Sequence, residues 1–370
     1  MNFGNLDNFI DSLIPFGIPA ADMTLWQDHR EIYRHSAGAD GLPDPDGLYY
    51  MYSISKVVTV AAAMTLLEQG KFLLDTPIAD FMPEFAEMTV NAGSEGLIPA
   101  NRPITVKDLF TMTAGFSYNL TSAQIRQVQE ATDGRAPTRE IMGAIARTPL
   151  SFQPGKEFRY SLCHDVLAGL TEAVSGERFS SYVKRTIFDP LGMKNSYYHA
   201  NDEILGRMVT QYRFNDKTGV ADEMPKTNMY ILGSEYDSGG AGVISCMHDM
   251  ILFTDMLANG GVGRNGTRIL SRASIDLIRT PMLTEEQRAS FLWKHLGTGY
   301  SYGLGVRTMV NPSFGLLSPV GEFGWGGAAG SLMIISPEYR LAGFYCQHML
   351  NNKETYVHPR LLNIVFSSVT

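Results

Sequence analysis

Strand signals collect at the two ends of this 370-residue chain, and helix signals fill its middle. Near the start, residues 21–27 and 31–38 read as two strands of a hairpin turning at Asp28-His29. Near the end, residues 302–306, 331–335 and 341–347 are short, apolar or aromatic, and bounded by Gly or Pro. Between them, residues 53–69 form a helical run closed by Gly70, and Thr105-Val106-Lys107-Asp108 opens another helix as a capping box. Residues 165–174 and 179–188 continue the helical pattern, and residues 354–368 read as a terminal helix with Pro359 near its start. This distribution predicts an α+β fold: an antiparallel sheet assembled from both ends, flanked by helices, with a helical domain inserted. No repeat or low-complexity linker divides the chain. The expected organisation is one unit over 1–370, with a sheet subdomain at approximately 1–80 and 200–370 and a helical subdomain at approximately 81–199.

Composition narrows the function classes. Hydrophobic residues at 44% and charged residues at 18% describe a chain able to bury a large core. A net charge of −8 without a basic cluster speaks against a nucleic-acid partner. No apolar stretch is long enough to span a bilayer, so no membrane partner is expected. Residues 1–19 carry Asp7 and Asp11 and no Lys or Arg, the wrong pattern for a secretory signal. Together with only Cys163, Cys246 and Cys346, read as buried thiols, this gives the expectation of a cytoplasmic protein. The histidines lack metal-site spacing and no Cys-x-x-Cys occurs, so neither metal nor cofactor is expected.

The chemistry starts at Ser53-Ile54-Ser55-Lys56, at the head of an unbroken apolar run. Residues three apart on a helix share a face, with Cβ atoms about 5–6 Å apart, which lets the Lys56 ammonium reach the Ser53 hydroxyl. A helix start adds unpaired N–H groups and the positive end of the macrodipole. Alone, the tetrapeptide is equally an N-cap serine and a solvated helix lysine. Two more segments raise its standing. Residues 153–161 form a turn running into Tyr160 just before a helix, and residues 323–330 are a glycine-rich strand entry that lets a substrate lie against backbone.

Other motifs are set aside. Gly299-Tyr300-Ser301-Tyr302-Gly303 matches a nucleophile elbow, but a strand rather than a helix is expected after it, and no Asp follows Ser301. The reading preferred there is a turn into a strand. Gly261-Val262-Gly263-Arg264-Asn265-Gly266 matches a dinucleotide fingerprint, but a helix precedes it, so it reads as a helix exit and turn. His164, beside the Tyr160 segment, reads as a helix-packing residue, and Asn119-Leu120-Thr121 as a polar loop. Tyr118 and Tyr236 are open between pocket lining and ordinary packing.

With these motifs in order, the chain resembles the serine β-lactamase and penicillin-binding protein superfamily, and within it the class C β-lactamase-like esterases, the family VIII carboxylesterases. The resemblance runs over roughly residues 6–365. It also draws on residues 70–78, 104–115 and 190–193 and on Gly239-Gly240-Ala241-Gly242. It implies a β-lactamase/transpeptidase-like fold. It implies Ser53 as the acylated nucleophile, Lys56 as its electrostatic partner and Tyr160 as the catalytic tyrosine. Trp325-Gly326-Gly327 stands at the substrate-binding motif where lactamases carry Lys-Thr-Gly, and backbone N–H groups of Ser53 and Ala328 would form the oxyanion hole.

The chain departs from the lactamase pattern twice. Leu162 replaces the Asn of the usual Tyr-x-Asn, and Trp325 replaces the cation that would meet a substrate carboxylate. Both changes make the pocket more apolar and turn the expectation from β-lactams toward simple esters. A serine hydroxyl needs a base, and Tyr160 and Lys56 sharing a proton would supply one. The expected activity is hydrolysis of short- to medium-chain acyl esters, a small-molecule substrate. The rivals are acyl transfer to an alcohol, β-lactamase or D-alanyl peptidase activity, and a non-catalytic binding relative, which the presence of Ser53, Lys56 and Tyr160 disfavours.

Overall fold

The computed structural model describes residues 1–291 and 299–369. Asp28 and His29 both adopt left-handed backbone, with φ of 50° and 64°, the geometry a two-residue hairpin needs. They join β1 (Ala20–Gln27) to β2 (Arg30–Gly38). The late strands are β3 (Tyr300–Tyr302), β4 (Arg307–Met309), β5 (Phe323–Gly324), β6 (Leu332–Ser336) and β7 (Leu341–Cys346). They complete one antiparallel seven-stranded sheet in the order β2-β1-β7-β6-β5-β4-β3. The early hairpin docks on the last strand, with Asp22 opposite Cys346 and Gln27 opposite Leu341. The α+β class and the antiparallel sheet expected from the sequence are therefore present.

Every residue of β6 and β7 is buried, so protein covers both faces of the sheet there. The helix Met247–Ala258 packs across β1, β6 and β7. The N-terminal helix Gly4–Leu13 packs on β1, β2 and the terminal helix Glu354–Ser368, where Phe16 stacks on Tyr356 at 4.2 Å. The three cysteines are free and buried. No helix among the described residues is long and apolar enough to cross a membrane.

One strand assignment fails. Of residues 302–306 only Tyr302 is strand, the last residue of β3, and 303–306 are the turn between β3 and β4, closed by Gly303 N–H donating to Val306 O at 2.8 Å. Gly305 takes φ of 77° there, and a Cβ on it would lie 2.9 Å from the His164 ring. Leu304 and Val306 are apolar because the turn is buried, not because it is extended. Ser301 lies within β3, 3% exposed, and no helix follows, so the elbow requirement is unmet. Gly260 and Gly261 are left-handed exits from the helix Met247–Ala258, as a turn requires. The segment expected as one helix over 179–188 begins as Phe179–Val183 and widens into a π-helical turn, Lys184–Phe188.

A short strand, Tyr49–Tyr50, leads into the segment that carries Ser53 and Lys56 and pairs with Ile244–Ser245. His348 holds it from behind: Tyr50 N–H donates to Nε2 at 3.2 Å, while Nδ1 faces Val209 O at 3.1 Å. These partners fit the neutral ring protonated at Nδ1. Burial pushes His348 down to about 4. Between about pH 6.5 and 4 the unfolded chain takes up a proton that the folded ring refuses, so stability falls as the pH drops through that window. The contribution is roughly 1.4 kcal/mol per pH unit, or about 3 kcal/mol in all. Urea midpoints of the wild type and His348→Gln, taken from pH 7 to 4.5, are expected to converge on acidification. The comparison separates His348 from carboxylates such as Asp22, which burial pushes up and which therefore act in the opposite sense. A constant gap between the two curves would contradict the prediction.

Candidate active site

Tyr52, immediately before Ser53, has φ of 47°, an uncommon conformation for a residue with a bulky side chain. It is held there by its hydroxyl, which donates to Gln211 Oε1 at 2.7 Å, and by packing against Tyr50 and Tyr230. A single 3-10 turn, Tyr52–Ile54, then runs into the α-helix Ser55–Glu68. The helix is buried on all sides through its first ten residues, as its unbroken apolar composition demands. Ser53 stands half-buried at its head.

Lys56 is fully buried one turn on. An ammonium has three N–H donors, and burial makes each unmet one costly. Here three acceptors meet them: Gly240 O at 2.7 Å, Ser53 Oγ at 3.3 Å and the Tyr118 hydroxyl at 3.3 Å. The charge also lies 4.6 Å from the Tyr160 ring centroid and 5.5 Å from that of Tyr118, within cation–π range. Lys56 thus faces the ring of Tyr160 rather than donating to its hydroxyl. That hydroxyl accepts from Trp325 Nε1 at 3.3 Å.

Tyr118, Tyr160 and Trp325 form a stack, with centroids 5.6 and 5.7 Å apart. Tyr230 closes edge-on against Tyr118, and Tyr302 edge-on behind Trp325. Tyr118 is partly exposed, yet enough protein surrounds its hydroxyl that burial, then the charge of Tyr160, pushes its pKa well above the usual phenol range. Tyr118 therefore stays a neutral phenol at any working pH.

Two site groups had no assigned role in the sequence: Tyr118 was open between pocket lining and packing, and the Gly240 carbonyl lay in a stretch that only supported the resemblance. The Tyr118 hydroxyl meets Lys56, while Leu162 turns into the core at 4% exposure. Nothing marked Tyr118 except being aromatic. The Gly240 carbonyl is set by Asp165, whose Oδ1 accepts from Gly240 N–H, the Ser238 hydroxyl and the Tyr236 hydroxyl. Tyr236 is thus a packed residue. A Cβ on Gly240 would sit 2.4 Å from Asp165 Oδ2, so the Gly239-Gly240 pair was the available signal. His164 is fully buried, Nε2 against Phe110 O at 3.3 Å; burial and then the charge of Lys56 push it down to about 3, so it packs as a neutral ring.

The glycine-rich segment runs along the other side of Ser53. A Cβ on Gly327 would lie 2.7 Å from Met51 O and 2.1 Å from Ser331 Oγ, a fit that only glycine permits. Gly326 is buried beside it. Gly330 N–H donates to Gly327 O at 2.9 Å, closing a tight turn with half-buried Ala328 at its second position. Among the described residues, nothing accepts from the backbone N–H of Ser53 or of Ala328. Most backbone donors find partners, so two free ones, one on the serine itself and one in the turn packed beside its segment, are available to an incoming oxygen. No cluster of metal-ligating side chains occurs among the described residues.

Comparison with known proteins follows this geometry. The profile of the Beta-lactamase family matches residues 8–362. Protein Rv1367c of Mycobacterium tuberculosis (strain ATCC 25618 / H37Rv) is 31% identical, over 93% of this chain and 90% of that protein. Esterase EstB of Burkholderia gladioli is 26% identical, over 82% of this chain and 79% of its own length. Among solved structures, EstCE1, described as a hydrolase with promiscuous acyltransferase activity, superposes with a TM-score of 0.79 at 20% identity, covering 99% of this chain and 98% of its own. That last likeness establishes a shared fold.

Proposed function

The chain belongs to the Beta-lactamase family, and on that premise we propose that it is a serine hydrolase cleaving short- to medium-chain carboxylic esters through an acyl-enzyme on Ser53. The observation that carries this reading is the buried Lys56 ammonium, 3.3 Å from Ser53 Oγ with every donor occupied. A cation so placed favours the serine oxygen as charge builds on it.

Ser53 Oγ attacks the ester carbonyl carbon as its proton passes to the oxygen of Tyr160, which acts as the phenolate and becomes the neutral phenol, with the Lys56 charge 4.6 Å from its ring favouring the anionic form. The Tyr118 hydroxyl, which accepts from Lys56, is left the supporting role of holding that cation. The carbonyl oxygen becomes an oxyanion and accepts from the N–H groups of Ser53 and Ala328, each such donor being worth about 2.7–4 kcal/mol in a well-studied protease. The C–O bond to the alcohol breaks, and Tyr160 returns the proton to the leaving alkoxide. Water then adds to the acyl-enzyme by the same route and frees Ser53. Trp325, 2% exposed and packed between Tyr160 and Tyr302, fills the place where a lysine would attract a carboxylate. This favours esters over β-lactams and acyl-D-alanyl peptides.

A panel of p-nitrophenyl esters from acetate to decanoate, with nitrocefin alongside, tests the assignment. Turnover is expected to peak at short or medium acyl length, with nitrocefin at least a hundredfold slower. A fluorophosphonate adduct is expected on the Ser53 peptide by mass spectrometry. Nitrocefin as the better substrate, or an adduct elsewhere, would overturn the reading. EstB is named an esterase, and EstCE1 is described as having promiscuous acyltransferase activity, so the second reading is acyl transfer. Product analysis with a competing alcohol separates the two, because acyl transfer yields a new ester where hydrolysis yields the acid.

A further inference from the structure

We propose that Asn352 is a positioning residue that aims the Ala328 N–H at the developing oxyanion. The inference rests on the acyl-enzyme reading above and adds a residue to it that no motif marks. Asn352 is 8% exposed, and its Nδ2 donates to Ala328 O at 2.9 Å and reaches Gly327 O at 3.3 Å. A trans peptide is planar, so the Gly327 carbonyl and the Ala328 N–H point in opposite directions from one rigid unit. Holding that carbonyl on the Asn352 side turns the N–H away from it. The next carbonyl, Ala328 O, is held by the same amide, so both peptide planes flanking Ala328 are fixed.

Asn352 is itself held on every side. Glu354 N–H donates to its Oδ1 at 2.9 Å, which fixes which end of the amide faces the turn. Its Nδ2 also lies 3.3 Å from Glu354 Oε2. Gln347 Nε2 donates to the Asn352 carbonyl at 2.6 Å, and the Tyr345 hydroxyl orients Gln347 in turn at 2.8 Å. Asn351 and Lys353, its neighbours, both have left-handed backbone, with φ of 53° and 56°. Three non-glycine residues are bent into a sharp corner whose product is one amide pointed at two carbonyls. The Gly330 N–H bond to Gly327 O restrains the turn but leaves Ala328 O to Asn352 alone.

The test is Asn352→Asp, nearly the same shape but with oxygens that only accept and that repel both carbonyls. With an oxyanion donor displaced, kcat/KM for p-nitrophenyl butyrate is expected to fall about 10–100-fold, mostly in kcat. The affinity of butylboronic acid, which forms a tetrahedral adduct on the nucleophile, is expected to fall by a matching factor. A residue that only stabilised the fold would lower Tm without that parallel loss. Asn352→Ala, lacking the repulsion, is expected to show a smaller loss in both readings, and it decides the matter if the Asp variant does not fold. Unchanged kcat/KM and boronate affinity in a folded variant overturn the inference, as does a rate loss with boronate affinity intact. If the wild-type protein neither hydrolyses the ester nor accepts a fluorophosphonate on Ser53, the acyl-enzyme reading falls first, and this one with it.

Discussion

In Ser53→Ala, hydrolysis of p-nitrophenyl butyrate is expected to drop by about ten-thousand-fold or more, with the fold retained and Tm somewhat lowered because one Lys56 donor loses its partner. The hydroxyl is half-buried at the head of a helix, and among the described residues its one hydrogen bond is received from Lys56. Alanine removes that acceptor and leaves the ammonium with Gly240 O and the Tyr118 hydroxyl. The remaining site keeps its two free N–H groups, so weak background catalysis over water is expected to persist, as it does when a hydrolase loses its nucleophile. Burst kinetics check the cause: the wild type is expected to release nitrophenol rapidly at first, and the variant to show no burst. Retained turnover would place the nucleophile elsewhere.

The second large effect separates the two tyrosines. Tyr160→Phe is expected to cost about a thousandfold in kcat, the scale of losing a positioned general base. Tyr118→Phe is expected to cost about ten- to a hundredfold. Its hydroxyl does not take the proton but accepts from a buried charge, and an unmet hydrogen bond to such a charge costs about 1.5–3 kcal/mol. Both rings survive the change to phenylalanine, so the stack that walls the site is preserved and the difference reads the hydroxyls alone. Equal losses, or a larger one in Tyr118→Phe, would reverse the assignment of the base. Steady-state kinetics of both variants on one ester decide it.

The sequence made the parts of this site readable to the extent that they are local. Ser53 and Lys56 are one helical turn apart, and the apolar run behind them could only be a buried helix. The hairpin at Asp28-His29 and the capping box at Thr105 were equally local. What was hidden depends on partners far along the chain. Tyr118 meets Lys56 across 62 residues, and Gly240 across 184. Gly240 left a trace, because a close approach demands a glycine, but a tyrosine in a loop carries no such mark. The error at residues 302–306 has the same root: burial makes a turn look like a strand when only hydrophobicity is read, and Gly305 was the sign of the bend. Tyr52 could not be foreseen either, since its left-handed backbone is imposed by Gln211 rather than by its own type.

The pairing of β1 with β7 carries a consequence for the birth of the molecule. On a ribosome the nucleophile segment emerges early and the turn at residues 327–330 very late, and β1 must wait for β7 before it has its partner. Long-range pairings of this kind form slowly, and unpaired edges invite association meanwhile. On the proposed mechanism the same delay would keep Ser53 unreactive. A nascent chain holds Ser53 and Lys56 but neither Ala328 nor Trp325, so on the acyl-enzyme reading proposed above hydrolysis would begin only when the sheet closes.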